Sequence, residues 1–217
     1  MSYQEVVHPV GEAANRVGRD AAEIVVVAVS KSRTPAEIRD LYALGHRDFG
    51  ENRAQELVEK ASELPADIRW HFVGALQSKK ARIVRSIVTL LHSMDRESLA
   101  SAWLKGQGLP PPVLLQVNIA HEPQKSGIAP EDVGEALDWL MHLGLEASGL
   151  MAIPPISETS EHTRQHFLAL GELQQRHVGQ HPSLKELSMG MSDDFEVAIE
   201  ERASIIRVGR AIFDQRN

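Results

Sequence analysis

Apolar runs rich in β-branched residues alternate along this chain with segments whose apolar positions recur every three or four residues. Residues 24–29 (IVVVAV) are almost continuously apolar, the pattern of a strand buried on both faces in a parallel sheet. Behind them Ile38, Leu41 and Tyr42 share one helical face, and Gly45 is placed to end that helix. The unit then repeats. A strand at 48–50 leads to a helix through Ala54, Leu57, Val58 and Ala61, and a strand at 70–73 leads to one carrying Ile83, Val84 and Ile87. A strand at 89–94 precedes a helix through Leu99, Ala102 and Trp103. A strand at 113–117 precedes a loop with Pro and Gly, then a helix with Val133, Ala136, Leu137 and Leu140. Residues 146–152 lead into a long helix through Phe167, Leu170 and Leu173, and 186–188 into one with Phe195, Ala198 and Ile199. Residues 204–208 form the last strand. Eight strands separated by seven helices is the count of a TIM-type (β/α)8 barrel, whereas an open doubly wound sheet usually needs fewer strands. No linker, low-complexity tract or repeat of solenoid length interrupts the pattern. Residues 1–217 therefore read as one domain, with 1–22 a helical lead-in that contains Pro9.

Composition narrows the function. The chain has 217 residues, 42% hydrophobic and 24% charged, which is ordinary for a globular protein rather than a disordered one. Asp and Glu total 30 against 23 Lys and Arg, a net charge of -7. Such a chain has no general field for polyanions, so no nucleic-acid or acidic-membrane partner is expected, although a few well-placed donors could still hold a small anion. The absence of cysteine removes disulfides, zinc–thiolate sites and thiol nucleophiles together. The opening MSYQEVVHPV lacks the basic and apolar regions of a secretory signal, and no apolar run approaches a membrane span. A cytoplasmic location is expected.

In barrels of this kind reactive groups gather at the C-terminal ends of the strands. There Lys31 follows six apolar residues and one serine. A lysine in such a place is ordinarily a solvated charge; the alternative is a partly desolvated amine, freed to attack a carbonyl as a Schiff-base lysine. After the seventh and eighth strands come Ser188-Met189-Gly190-Met191-Ser192 and Gly209-Arg210, where glycines, hydroxyls and a helix start near Asp193 could cradle a phosphate. Alternatively, Ser192 simply caps that helix. A lysine at one barrel strand and a cradle on the opposite side would suit one cofactor that needs both. Arg207 could be a structural ion-pair partner or, facing a pyridine nitrogen, a donor that stays charged and weakens the ring as an electron sink. His162 and His166 stand at i,i+4 without the glutamate of a zinc-protease helix, so no metal site is expected there. Lys79, Lys80, Arg82 and Arg85 read as an exposed helix face, and no GxGxxG or P-loop pattern occurs.

Seven ordered segments carry a resemblance: VAVSK ending at Lys31, FGEN at 49–52, WHFVGALQSKK at 70–80, QVNIAHEPQKSG at 116–127, GLMAIPP at 149–155, SMGMSDDFEVAI at 188–199 and IRVGRAIF at 206–213. In these the chain resembles the pyridoxal phosphate homeostasis protein family from about residue 24 to 213. The resemblance implies a barrel similar to the N-terminal domain of alanine racemase, with pyridoxal 5′-phosphate joined to Lys31 as an internal aldimine. It implies Asn52 near the ring, Ser188, Ser192, Gly209 and Arg210 around the phosphate, and Arg207 at the pyridine nitrogen. It further implies a carrier that binds and distributes the cofactor without an established catalytic turnover; no catalytic residue is expected, and a monomer that serves enzymes requiring the cofactor is the expected form. Four positions depart from the family's habit: Ala75 stands for histidine, Lys79 for asparagine, and Arg202 and Asp214 for glycines. Two other functions compete with a carrier. An amino-acid racemase would need a second acid/base, yet the only tyrosines are Tyr3 and Tyr42, neither in a matching place. A cofactor-free lysine aldolase would account for Lys31 but would leave the phosphate loop to a substrate.

Overall fold

The computed structural model describes residues 3–155, 157 and 159–214, with the side chains of residues 3 and 4 outside that description. Eight parallel strands follow one another in sequence order: β1 (Val25–Val29), β2 (Asp48–Glu51), β3 (Arg69–Phe72), β4 (Leu90–Met94), β5 (Val113–Val117), β6 (Ala147–Ala152), β7 (Glu186–Ser188) and β8 (Ile205–Val208). The last pairs back onto the first, with Val25 opposite Ile205 and Ala28 opposite Val208, so the sheet closes. The expected TIM-type barrel is the fold, and each strand overlaps the run that predicted it.

The connecting helices are α2 (Pro35–Ala43), α3 (Ala54–Glu63), α4 (Ala81–Arg85), α5 (Glu97–Leu104), α6 (Val133–His142), α7 (Ser160–His177) and α8 (Phe195–Glu200), while α9 (Arg210–Phe213) follows β8. Two apolar layers result from the alternation of strand side chains. Ile38, Leu57, Trp103, Leu140 and Phe167 are buried between the strands and the helices, and the Trp103 indole N–H donates to the Pro111 carbonyl at 3.1 Å. A smaller cluster of Val27, Leu90, Leu114, Met151 and Ile205 fills the inside of the barrel. The start of α2 is set by a capping box: Thr34 accepts from the Glu37 amide and the Glu37 side chain accepts from the Thr34 amide, with Pro35 in the first turn.

Two local expectations are refined. The helix after β3 is short and preceded by a 3-10 turn at Ser78–Lys80, so Ala81 and Val84 point inward, Ile83 is exposed and Ile87 lies past the end. The lead-in is helical across Pro9 as α1 (Tyr3–Arg16), because Val6, Val10, Ala13 and Ala14 are buried against α8 and α9 and outweigh the lost backbone donor. Arg16 pairs with Glu196 at 2.9 Å and Glu200 at 2.7 Å, and Arg19 donates to the carbonyls of Ile199 and Ala203. Among the described residues no helix is long and apolar enough to cross a membrane.

Candidate binding site at the strand ends

A cavity of about 590 Å³ opens at the C-terminal end of the barrel. It takes residues from the ends of seven of the eight strands, including Lys31, Asn52, Ser192, Arg207, Gly209 and Arg210. Six of the seven site residues expected from the sequence thus share one cavity. Closure of the sheet also corrects their arrangement: the loop after β8 is the neighbour of Lys31, not its opposite. A Cβ on Gly209 would sit 3.2 Å from the Val29 carbonyl oxygen, which shows how near the two strand ends lie.

Lys31 stands in a turn whose other members are all tied down. The Ser30 amide continues the ladder by donating to Gly50, and its buried hydroxyl donates to Glu51 Oε1 at 2.7 Å. Lys60 reaches up from α3 and donates to the Ser30 carbonyl at 2.7 Å and to Glu51 Oε1 at 2.6 Å. Ser32, held at φ 60, donates its amide to Glu56 at 3.0 Å. Burial pushes the Glu51 carboxyl up, and the hydrogen bonds from Lys60 and Ser30 oppose that shift. The turn is therefore rigid while the Lys31 side chain is exposed on the cavity wall, without a hydrogen-bond or ion-pair partner among the described residues. Of the two readings of its amine, the structure has the solvated charge and not the partly desolvated alternative; the loop faces the open end of the barrel. Asn52 is held beside it by Gly74, where any Cβ would come within 2.4 Å of the Asn52 carbonyl oxygen.

Across the β1–β8 seam, the Ser192 hydroxyl accepts from the Ala211 amide at 3.3 Å. This ties the loop after β7 to the start of α9, whose first N–H groups have no intrahelical acceptors. Ser192 does not cap α8, which begins later at Phe195; Asp194 instead locks the loop by accepting from the Met191 amide at 2.7 Å. Arg210 is ion-paired with Asp193 at the exposed rim, so its charge is already matched and its backbone is what it can offer an anion.

Arg207 forms part of the cavity floor and is 4% exposed. Its guanidinium donates to Ser188 Oγ at 2.6 Å and to the Ala152 carbonyl at 2.9 Å, with no carboxylate in direct contact among the described residues. Burial pulls its pKa down to about 10, partly offset by the charge of Asp194, and it remains a cation near neutral pH. Ser188 departs from expectation. It is fully buried, lies outside the cavity lining, and its hydroxyl is engaged by Arg207 and by His92 Nδ1 at 2.8 Å. The side chain at this strand position points inward beneath the arginine. Residues not singled out from the sequence also line the cavity, notably Gln116 and Lys125; the Lys125 ammonium donates to the Pro154 carbonyl at 3.0 Å. Both lie in the segment 116–127, whose loop could be placed only by the fold. Among the described residues no group of three or more potential ligands could hold a metal.

The family described as alanine racemase, N-terminal domain, matches residues 7–216. A pyridoxal phosphate homeostasis protein of Pseudomonas aeruginosa is 44% identical over 95% of this chain and 90% of its own length. The chain belongs to the pyridoxal phosphate homeostasis protein family. Another member, from Aquifex aeolicus, is 38% identical over 97% of this chain and 95% of its own. The structure of PipY from Synechococcus elongatus, solved with PLP bound, superposes with a TM-score of 0.80 at 36% identity, covering 94% of this chain and 99% of that one.

Proposed function

We propose that this protein binds pyridoxal 5′-phosphate, with Lys31 as its covalent anchor, and carries or buffers the cofactor without turning over a substrate. The observation that carries the reading is the sharing of one cavity by the Lys31 amine, the Ser192–α9 cradle and the buried Arg207 guanidinium. These residues fit the group. Lys31 supplies an amine for the aldehyde, Ser192 and the backbone of Gly209 and Arg210 supply donors for the phosphate, and Asn52 keeps a buried Oδ1 that has no partner. When bound, the cofactor brings an aldehyde and an electron-withdrawing ring. Arg207 can only donate, so it favours an unprotonated ring nitrogen and a weak electron sink. The names of the relatives and the PLP-bound PipY structure support the same cofactor. Enzymes that require the cofactor are the proposed recipients, and a monomer in the cytoplasm is the proposed form.

A racemase reading finds less support. Tyr42 donates to Asp67 at 2.7 Å in the region that precedes β2 and β3, at the far end of the barrel, and the Tyr3 side chain lies outside the described residues. Borohydride reduction of the loaded protein followed by peptide mapping should place the label on Lys31, and Lys31→Ala should show neither label nor visible band. A colourless wild type, or a label on another lysine, overturns the proposal. Turnover of any L-amino acid that depends on Lys31 and exceeds the rate of free cofactor overturns the carrier role.

A further inference from the structure

A line of polar side chains crosses the inside of the barrel, through surroundings that are otherwise apolar. His71 on β3 and His92 on β4 are 5% and 0% exposed, and Ser188 on β7 is fully buried. They lie beside the inner cluster of Val27, Leu90, Leu114, Met151 and Ile205. Starting from Asp48, the first residue of β2, His71 Nε2 meets Asp48 Oδ1 at 3.2 Å, and His71 Nδ1 meets His92 Nε2 at 3.0 Å. His92 Nδ1 then meets Ser188 Oγ at 2.8 Å, and Ser188 Oγ meets Arg207 at 2.6 Å. The line thus runs from the N-terminal end of the barrel to the floor of the cavity at the other end. We propose that His92 and His71 are positioning residues for the bound cofactor, acting through Ser188 on Arg207. This rests on the assignment of Arg207 to the cofactor ring made above.

Donor counting gives the line a direction. Hydrogen bonds from His71 and Arg69 hold the Asp48 carboxyl below the usual range despite its partial burial, so Asp48 is ionised and can only accept. His71 must therefore carry its proton on Nε2. In a neutral His71 the Nδ1 accepts, so His92 Nε2 donates to it and His92 Nδ1 accepts from the Ser188 hydroxyl. The Ser188 oxygen is then left with lone pairs to receive Arg207. Every donor is used once, from Arg207 down to Asp48, and no buried polar atom in the line lacks a partner. A second proton on His71 would reverse the middle of the line. His92 would then donate through Nδ1, and Ser188 would receive two N–H groups with its own proton displaced. A buried donor or acceptor left unmade is costly in such surroundings, so the two arrangements hold Arg207 differently. The charged and titratable groups facing the line are Asp48 on β2, Arg69 on β3, His46 ahead of β2, and Arg207 with Asp194 beyond it.

The test has one arm that needs no cofactor. In the apoprotein, nitrogen-15 imidazole shifts at neutral pH should report both His71 and His92 protonated at Nε2 and bare at Nδ1. A His92 protonated at Nδ1, or one averaging between tautomers, overturns the line as drawn. In the second arm, wild type, His92→Leu, His92→Asn and Asp48→Asn are loaded with pyridoxal 5′-phosphate, and the visible band is followed against pH. His92→Leu should shift the pH midpoint of the band by at least about half a unit and weaken binding roughly tenfold. His92→Asn, which can still meet Ser188, should recover most of both. Asp48→Asn should move the midpoint from the opposite end of the barrel. Folded His92→Leu and Asp48→Asn proteins with the wild-type midpoint and affinity overturn the proposal. If wild type takes up no cofactor, the assignment of the cofactor fails, and the tautomers of the apoprotein still decide the line separately.

Discussion

His46 and His92 are buried, and burial holds both imidazoles below their ordinary value, the nearby charge of Arg207 adding to the effect at His92. Both are neutral in the folded chain near pH 7, while in the unfolded chain they take up protons below about 6.5. The unfolded state then binds more protons, so stability falls as the pH drops through that value. Each group contributes a slope of about 1.4 kcal/mol per pH unit until its folded form titrates. Asp48 behaves in the same sense lower down. Its folded pKa is depressed, so the stability it contributes is complete above about 3.9 and is lost as the pH falls through the folded value. Urea unfolding across this range should therefore show an early loss beginning near the ordinary histidine value and a later one in the carboxylate range. His92→Gln should flatten the first, and a curve without that early loss would contradict the burial of neutral imidazoles.

At the scale of elements, the helices stop by a common device in which one residue carries a disproportionate cost. At the ends of α2 and α6 the left-handed position is Gly45 and Gly144, with φ of 94 and 78. Their amides donate to Tyr42 and Met141, and the next amides, of His46 and Leu145, reach back to Leu41 and Leu140, which is a Schellman motif in both cases. The end of α8 has the same two bonds, from Arg202 to Ile199 and from Ala203 to Ala198, but the left-handed residue is Arg202 at φ 72. An L side chain in that conformation costs roughly 1–2 kcal/mol, partly offset by the greater freedom glycine has in the unfolded chain. Arg202→Gly should raise the unfolding free energy by roughly 0.5–1 kcal/mol, read from the denaturation midpoint at unchanged slope. No gain, or a loss, would mean that the arginine makes up the strain through its side chain.

For the molecule as a whole, the proposed cofactor sits where the sheet closes, bridging the loops after β1, β7 and β8. Binding there should stabilise the closed barrel by mass action, about 2.7 kcal/mol at a hundredfold excess over the dissociation constant. For a chain of this size that is a rise of roughly 5–10 °C in Tm. Lys31→Ala should lose most of this rise and Ser192→Ala part of it, whereas riboflavin phosphate or inorganic phosphate alone should give little. A melting temperature unmoved by pyridoxal 5′-phosphate would count against the site.

Much of this was legible along the chain. Runs such as 24–29, alternating with helical spacing, can bury their apolar faces only in a wrapped parallel sheet, so the eight-strand count and the placement of Lys31, Asn52 and Arg207 at strand ends followed from local pattern. Partnership was not legible, because it depends on which strands become neighbours and which way each side chain turns. Only closure of the barrel made the loop after β8 adjacent to Lys31. Only the inward turn of β7 put Ser188 beneath Arg207 and outside the cavity lining. His71 and His92 gave one faint signal, polar residues at inward strand positions between apolar ones. Their meeting with each other, and with Asp48 and Ser188, joins three consecutive strands to a fourth 96 residues beyond His92 and was decided by the tertiary structure alone. For Lys31 the sequence determined the residue and its place at a strand end, and the fold supplied the rigid turn and the neighbours that make it a site.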